Sequence, residues 1–288
     1  MSLLPINPSP HYSRKSGRTL ETQKFNYDCQ RKVTETTNPW LRMIERIHIT
    51  NSQDSGVLKA ILDKHRNVTV KFGQPSSLMI DYQQAEKLFH ANIPNCLKYY
   101  CFFTCKDDTQ EIANRDFVRE PYLCKGPGSV VGLTLMPYYP LGSVYQYKWT
   151  PEEFPIFLNI IKQTIYSMIE MYRLADSYVH PDLHLDNVLM RKTQKSELVY
   201  GERRLPLHGF YAVIIDFEPR NTGTTSLIQA ISKILNLATS ILIPNYIIRN
   251  DTYTITTVDR TYPAIFDSID RILNTYILTP IPPMPKWS

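Results

Sequence analysis

The chain has 288 residues, of which 43% are hydrophobic and 20% charged, with a formal net charge of +5 and a pI near 8.8. This length and apolar content can bury a core in each of two lobes, which excludes a disordered chain. No apolar run approaches the ~18 residues of a membrane span, the N-terminus has no signal-peptide core, and the charge is too mildly basic to indicate a nucleic-acid partner.

The first 40 residues are predicted to form an N-terminal extension. Several prolines and the basic run at residues 14–18 favour an extended arm over a packed element. A loose terminus is the default interpretation of such a segment, and an arm that docks a partner or tethers the lobes is the alternative.

Three short strands are predicted to follow, because apolar and β-branched residues alternate between turn-rich segments. The strands are residues 45–50, 57–62 and 68–72. The first turn holds a single glycine, Gly56, and the third strand carries Lys71 near its end. The close spacing of these strands predicts an antiparallel meander.

A helix and two further strands are predicted next. Ala85, Leu88 and Phe89 recur at helical spacing within residues 80–92, and Glu86 lies on the same helix. The strands are residues 96–105 and residues 128–139, the second of which includes Met136 and Tyr138. A turn at residues 140–143 then leads into a long helix over residues 150–178, which starts with a capping Thr150 and Pro151.

Residues 180–190 contain the groups of a phosphoryl-transfer site. Asp182 follows His180 by two residues, Asn187 follows Asp182 by five, and an apolar strand precedes Asp216. A carboxylate such as Asp182 can orient a hydroxyl nucleophile and accept its proton, and an amide and a carboxylate such as Asn187 and Asp216 can hold Mg²⁺ at nucleotide phosphates. Ordinary Asp and Asn turns give similar short patterns, so the elements that precede the loop decide between the two interpretations.

With those elements in place, the chain resembles the protein kinase superfamily, whose signature is H-R-D-L-x-x-x-N followed later by D-F-G. The interval from Asp182 to Asn187 is that of the family. Three positions depart from the pattern: Pro181 for Arg, His184 for Lys and Glu218 for Gly. The H-x-D-x-H-x-x-N loop also looks like that of aminoglycoside and choline phosphotransferases, atypical kinases and the divergent kinases of large DNA viruses.

The resemblance implies ATP as the nucleotide and a role for several residues of the first half. Lys71, held by Glu86, would position the α and β phosphates. Gly56 would be the remnant of the glycine-rich loop over the phosphates, and backbone groups near Met136 and Tyr138 would bind adenine.

The resemblance also implies the catalytic roles. Asp182 would orient the acceptor, and Asn187 and Asp216 would hold Mg²⁺ or Mn²⁺. His180 would brace the loop. His184 stands where a lysine would meet the γ-phosphate, and a neutral imidazole stabilises transferred charge less well than an ammonium group does.

The implied fold is α+β and bilobal, like that of protein kinases. A small antiparallel, β-rich N-lobe would span residues 41–139, and a mainly helical, abbreviated C-lobe residues 140–279, before a proline-rich tail at residues 280–288. The charged insertion at residues 191–211 is predicted to be a solvated loop, with a basic surface as the alternative. Beyond it we predict helices over residues 226–243 and 262–278 and a strand over residues 251–258.

Five cysteines, an odd number, predict reduced thiols in a cytoplasmic, intracellular compartment, which suits a virus-encoded kinase as well. A zinc site is the less favoured interpretation, because the spacing of the clustered residues fits no C-x-x-C pair. Those residues are His90, Cys96, Cys101, Cys105 and Cys124.

The predicted function is ATP-dependent phosphoryl transfer by a divergent serine/threonine protein kinase, with a protein substrate and room for a regulatory protein partner. One alternative is a pseudokinase that serves as scaffold or as activator of a partner, because the turn near Gly56 is poor in glycine and contains Asp54. The other is a small-molecule kinase, which His184 and the lack of peptide-docking motifs favour.

Overall fold

The structure is a computed structural model that describes residues 41–49, 56–62, 66–108, 112, 124, 128–217, 226–250 and 262–282, with the backbone alone for residues 41–49. Several predictions lie outside the described residues: the N-terminal extension, the turn at residues 51–55, the strand at residues 251–258, Glu218 and most of the tail. Among the described residues no helix is long and apolar enough to cross a membrane.

A five-stranded antiparallel sheet and one helix make up the first half of the described chain. The elements are β1 (Leu41–Ile49), β2 (Gly56–Leu62), β3 (Arg66–Gly73), α1 (Pro75–His90), β4 (Cys101–Asp107) and β5 (Ser129–Pro137). The strand order is β1-β2-β3-β5-β4, so the predicted meander of three strands is present. In β2 buried and half-buried residues alternate, as the period of two requires.

Two predicted boundaries in this half are wrong by five residues each. Helix α1 begins at Pro75, five residues before the predicted start, because a proline fits the first turn of a helix, where its missing N–H is not needed. The strand predicted from Cys96 begins only at Cys101, and Cys96 instead forms an isolated bridge to Ile214.

The second half is built around a long helix. Its elements are a 3-10 turn (Pro151–Glu153), α2 (Phe154–Leu174), a second 3-10 turn (Leu185–Asn187), β6 (Val188–Lys192), β7 (Glu197–Tyr200), β8 (Arg203–Pro206), β9 (Phe210–Ile214), α3 (Leu227–Thr239), β10 (Tyr246–Asn250), α4 (Tyr262–Leu273) and β11 (Tyr276–Pro280). At the start of this helical stretch the Glu153 carboxylate accepts the Thr150 N–H at 3.2 Å. The molecule is therefore a mixed α+β protein with antiparallel sheets.

The insertion at residues 191–211 is a packed hairpin, which corrects the prediction of a solvated loop. Strands β7 and β8 pair around a turn in which Gly201 has a φ of +58°, a conformation that favours glycine. Leu198, Tyr200 and Leu205 are buried, and the Tyr200 ring packs edge-on against Tyr166 of α2. The prediction of a loop was based on the charged side chains of the insertion and did not take this alternating apolar pattern into account.

The last predicted helix is also shorter than expected. It ends at Leu273, and the residues that follow form β11, which pairs with β10. The Tyr276 hydroxyl donates to the Leu235 carbonyl at 2.8 Å, so the strand is tied to α3. Aromatic and β-branched residues favour a strand over a helix here.

The prediction of reduced thiols is wrong for Cys105 and Cys124, which form a disulfide. The Cys124 N–H also donates to the Asp107 carboxylate at 2.8 Å, so residue 124 is held at the end of β4. Cys96 is free, and burial raises the pKa of its thiol. No group of three or more His, Cys, Asp or Glu side chains in the described part of the chain could hold a metal ion.

Candidate phosphoryl-transfer site

The strand pair β6–β9 brings the two halves of the predicted catalytic motif together. Val188 lies opposite Ile214 in this antiparallel pair, and the Ile215 N–H donates to the Asn187 carbonyl at 3.0 Å. Asn187 comes directly before β6, and Asp216 follows Ile215. Both residues therefore lie at the same end of one strand pair, although they are 29 positions apart in the chain.

Hydrogen bonds hold the loop between His180 and Asn187 in one shape. The Asn187 side-chain amide donates to the Asp182 carbonyl at 3.0 Å, and the Asn187 N–H donates to the His184 carbonyl at 3.0 Å. The His180 Nε2 lies 2.9 Å from the Ile215 carbonyl, so this nitrogen carries the proton that is donated. Burial lowers the pKa of His180, which keeps its ring neutral.

The Asp182 side chain lies at the surface of this loop between two cationic or basic groups. Lys233 of α3 places Nζ 3.3 Å from Asp182 Oδ1, and His184 Nε2 lies 3.6 Å from Oδ2. The Asp182 side chain is 58% exposed, so an incoming hydroxyl can reach it. Lys233 could not be predicted from the sequence, because no local pattern indicates which lysine of a surface helix faces a distant loop.

Lys71 of β3 joins the five-stranded sheet to this loop region. Its ammonium contacts the Asp216 carboxylate directly and lies 3.5 Å from Asp81 of α1. Burial disfavours the charged form of Lys71, but the negative charges of Asp216 and Asp81 outweigh burial and raise the pKa of Lys71 above its ordinary value. Lys71 is therefore held as a cation, which suits the predicted role of this residue at phosphates.

Asp81 is the carboxylate that helix α1 supplies to Lys71, and the prediction that Glu86 does so is wrong. The Asp81 Oδ2 accepts the Tyr99 hydroxyl at 2.6 Å, and Oδ1 accepts the Phe217 N–H at 2.8 Å. Burial raises the pKa of Asp81, and the Lys71 ammonium and these two donors oppose that rise. Asp81 thus links β3, α1 and the residue after Asp216.

Glu86 points elsewhere because of helix geometry. Five residues at about 100° each turn Glu86 roughly 140° away from Asp81 around the helix. Its carboxylate lies 3.7 Å from His90 on the next turn, and its Oε1 is buried with no hydrogen-bond partner among the described residues. Asp81 could have been found in the sequence, because it shares the buried face of Ala85 and Leu88, but the predicted helix started too late to include a full turn before it.

The remaining predicted nucleotide-binding residues lie on the sheet near Lys71. Gly56 is the first residue of β2 and pairs with Phe72 of β3. The next residue of β2, Val57, pairs with Lys71. Met136 of β5 is buried and pairs with Thr69 of β3. Tyr138 follows β5, and the Lys59 ammonium lies 4.8 Å from the centre of the Tyr138 ring. No contact places these three residues against Asp182 among the described side chains.

The segment after β5 connects the sheet to the loop. The Val144 N–H donates to the Val188 carbonyl at 2.8 Å, and the Met190 N–H donates to the Gly142 carbonyl at 3.0 Å. The Ser143 hydroxyl donates to Asp186 of the loop at 2.9 Å. The chain that leaves the five-stranded sheet is thus bonded to β6 and to the loop that ends at Asn187.

The donor atoms fit a hard divalent cation. The Asn187 side-chain N–H donates to the Asp182 carbonyl, so the Asn187 amide oxygen is available as a metal ligand. Asp216 can supply a carboxylate as a second ligand. Mg²⁺ is commonly held by one or two such protein ligands together with substrate phosphates. Asp216 has a φ of +68°, an uncommon conformation for a residue other than glycine, and such residues cluster at functional sites.

The sequence matches no protein-family model, and no curated protein matches it.

Exchange of Asp81 for asparagine tests its role against that of Glu86. In Asp81→Asn one oxygen becomes an N–H donor facing the Tyr99 hydroxyl and the Lys71 ammonium, so we expect a loss of about 2 kcal/mol in the free energy of unfolding. Because Lys71 is also misplaced, we expect any phosphoryl-transfer activity to fall about 10- to 100-fold. Chemical denaturation and activity measurements check the two effects.

Glu86→Gln is the matched control on the same helix. We expect it to change the free energy of unfolding by less than about 1 kcal/mol and the activity by less than about twofold. A larger effect on activity from Glu86→Gln than from Asp81→Asn would return the lysine-holding role to Glu86.

Proposed function

We propose that this protein is an ATP-dependent phosphotransferase with a bilobal, protein-kinase-like fold that transfers the γ-phosphoryl group to a hydroxyl of a protein substrate. The five-stranded antiparallel sheet that carries Lys71 suits a nucleotide-binding N-lobe. The following region, with its long buried helix α2 and the loop at residues 180–187, suits the catalytic C-lobe.

One observation carries the proposal: Lys71 contacts Asp216 directly, although 145 positions separate them in the chain. Ile215, the residue before Asp216, donates its N–H to the Asn187 carbonyl, and the Asn187 side chain donates to the Asp182 carbonyl. A cation for phosphates, two oxygen ligands for a metal and a carboxylate for the acceptor are therefore gathered from three separate segments. A set of ordinary turns would give no reason for this convergence.

Each of these residues would have a separate role in the transfer. The acceptor hydroxyl would donate a hydrogen bond to Asp182 and pass its proton there as its oxygen attacks the γ-phosphorus. Lys71 would exchange its contact with Asp216 for the α and β phosphates while Asp81 keeps it in place. Mg²⁺ or Mn²⁺ held by Asn187 and Asp216 would neutralise charge on the phosphates.

The exposure of Asp182 favours a protein acceptor over a small molecule. Small-molecule sites usually enclose most of the ligand surface. Asp182 instead has a side chain that is more than half exposed, which a hydroxyl on the surface of another protein can reach. Backbone groups around Met136 and Tyr138 remain the proposed adenine contacts.

Incubation of the purified chain with γ-labelled ATP and Mg²⁺ or Mn²⁺ tests the proposal. We expect label on an added protein acceptor or on the chain itself, and we expect EDTA to abolish it because phosphoryl transfer of this kind depends on the metal. Amino sugars and choline serve as parallel small-molecule acceptors. A thermal shift with Mg²⁺–ATP but no label on any acceptor would favour the scaffold alternative, and the absence of both would contradict the proposal.

A further inference from the structure

A lysine outside the sequence motif lies at the proposed acceptor carboxylate. We propose that Lys233 supplies the positive charge that meets the transferred phosphoryl group, in place of the loop lysine for which this chain has His184. The inference rests on the phosphotransferase function proposed above.

The position of Lys233 follows from the packing of α3. One face of this helix is buried through six apolar residues, Leu227, Ala230, Ile231, Ile234, Leu235 and Ala238. The helix contacts α2 and the 3-10 turn at Leu185–Asn187, so it is held against the catalytic loop. Lys233 lies outside the buried face, and its Nζ reaches Asp182 Oδ1 at 3.3 Å.

Lys71 already contacts two carboxylates, so a second ammonium group is required to meet the transferred phosphoryl group. Lys71 contacts Asp216 and lies 3.5 Å from Asp81, and its proposed role is at the α and β phosphates. Lys71 and Lys233 are the two lysines that contact site carboxylates in the described part of the chain. His184 lies 3.6 Å from Asp182, but an imidazole carries full positive charge only when protonated.

The distances permit this role. An acceptor oxygen that is hydrogen-bonded to Asp182 Oδ1 lies about 2.6–3.2 Å from that atom. Lys233 Nζ lies 3.3 Å from the same carboxylate oxygen. The ammonium can therefore be no more than about 6.5 Å from the attacking oxygen, and a lysine side chain is flexible enough to close that gap.

The proposed step balances as an ordinary phosphoryl transfer. The acceptor oxygen forms a bond to the γ-phosphorus while the bond from that phosphorus to the oxygen of ADP breaks, and the hydroxyl proton passes to Asp182. As Asp182 becomes neutral, the Lys233 ammonium loses its negative partner. It is then free to donate to one of the phosphoryl oxygens, over which the negative charge of the transferred group is spread.

The competing interpretation is an ordinary surface ion pair. The Lys233 side chain is 47% exposed, and exposed Lys–Asp pairs contribute little to stability. Lys87 and Asp176 form such a pair at 2.7 Å, with a Lys87 side chain that is 52% exposed. Lys87→Met is therefore the matched control for Lys233→Met.

Steady-state kinetics of Lys233→Met, Lys233→Arg, Lys87→Met and the wild type, together with a direct measurement of Mg²⁺–ATP affinity, test the inference. We expect Lys233→Met to lower kcat about 10²-fold and to leave ATP affinity within about threefold. We expect Lys233→Arg to recover at least tenfold over Lys233→Met, since it restores the charge. Lys87→Met should keep wild-type kcat.

The outcomes separate this inference from the proposed function. An active wild type with kcat unchanged in Lys233→Met would overturn the role of Lys233 alone. Equal losses in Lys233→Met and Lys87→Met, or a loss in Lys233→Met that arginine does not relieve, would also overturn it. A wild type that transfers no phosphoryl group to any acceptor would overturn the proposed function, and the role of Lys233 with it.

Discussion

Replacement of Asp182 by asparagine is expected to lower kcat for phosphoryl transfer by about 10³-fold while Mg²⁺–ATP affinity stays within about threefold of the wild type. The amide keeps the size of the side chain but cannot take the hydroxyl proton. The loop itself should survive, because Asn187 bonds to the backbone carbonyl of Asp182 and not to its side chain. Single-turnover kinetics and calorimetric titration with nucleotide measure the two quantities.

Asp267→Asn is the control for this experiment. Asp267 is as exposed as Asp182, at 58%, and contacts Arg203 on the hairpin formed by β7 and β8. We expect it to keep wild-type kcat. If Asp182→Asn retained more than about a tenth of wild-type kcat, Asp182 would not be the group that accepts the proton.

Replacement of Asp216 by asparagine is expected to abolish detectable transfer, a loss of at least about 10³-fold, and to weaken Mg²⁺–ATP binding at least about tenfold. The change removes the carboxylate of the proposed metal pair and the direct partner of Lys71. Asparagine is a better probe than alanine, because the φ of +68° at this position suits asparagine and strains alanine. Activity and nucleotide titrations at several Mg²⁺ concentrations measure the loss.

Asp176→Asn is the control for two side effects of Asp216→Asn: a substitution at a position with positive φ and the loss of a contact with a lysine. Asp176 also has a positive φ, at 52°, and contacts a lysine, Lys87, at 2.7 Å. We expect Asp176→Asn to bind Mg²⁺–ATP like the wild type. Retention of metal-dependent binding in Asp216→Asn would show that Asp216 is not a metal ligand, whatever the activity of that variant.

The sequence predicted best those candidate site residues whose flanking elements lie close together in the chain. The loop from His180 to Asn187 and the strands that flank it follow from local spacing and from short apolar runs. Lys71 followed from a meander whose turns are short. In each case the elements that contain the residue are close in sequence.

Contacts between distant elements could not be predicted in the same way. Asp81 and Lys233 lie on helices, and only the packing of those helices decides which side chain reaches Lys71 or Asp182. The hairpin at residues 197–206 was obscured by its charges, although the alternation of Leu198 and Tyr200 before Gly201 was a usable signal. Glu86 was predicted because the family resemblance implies a glutamate on this helix, but the resemblance does not define the rotation of the helix relative to the sheet.

The disulfide between Cys105 and Cys124 makes the stability of this chain depend on the redox potential around it. A bond between residues 19 positions apart closes a loop in the unfolded chain. Such a loop restricts the unfolded ensemble and stabilises the folded state by about 3 kcal/mol. In a glutathione-buffered environment that reduces this bond the protein would lose that contribution, and its unfolding midpoint in denaturant should fall when dithiothreitol is added.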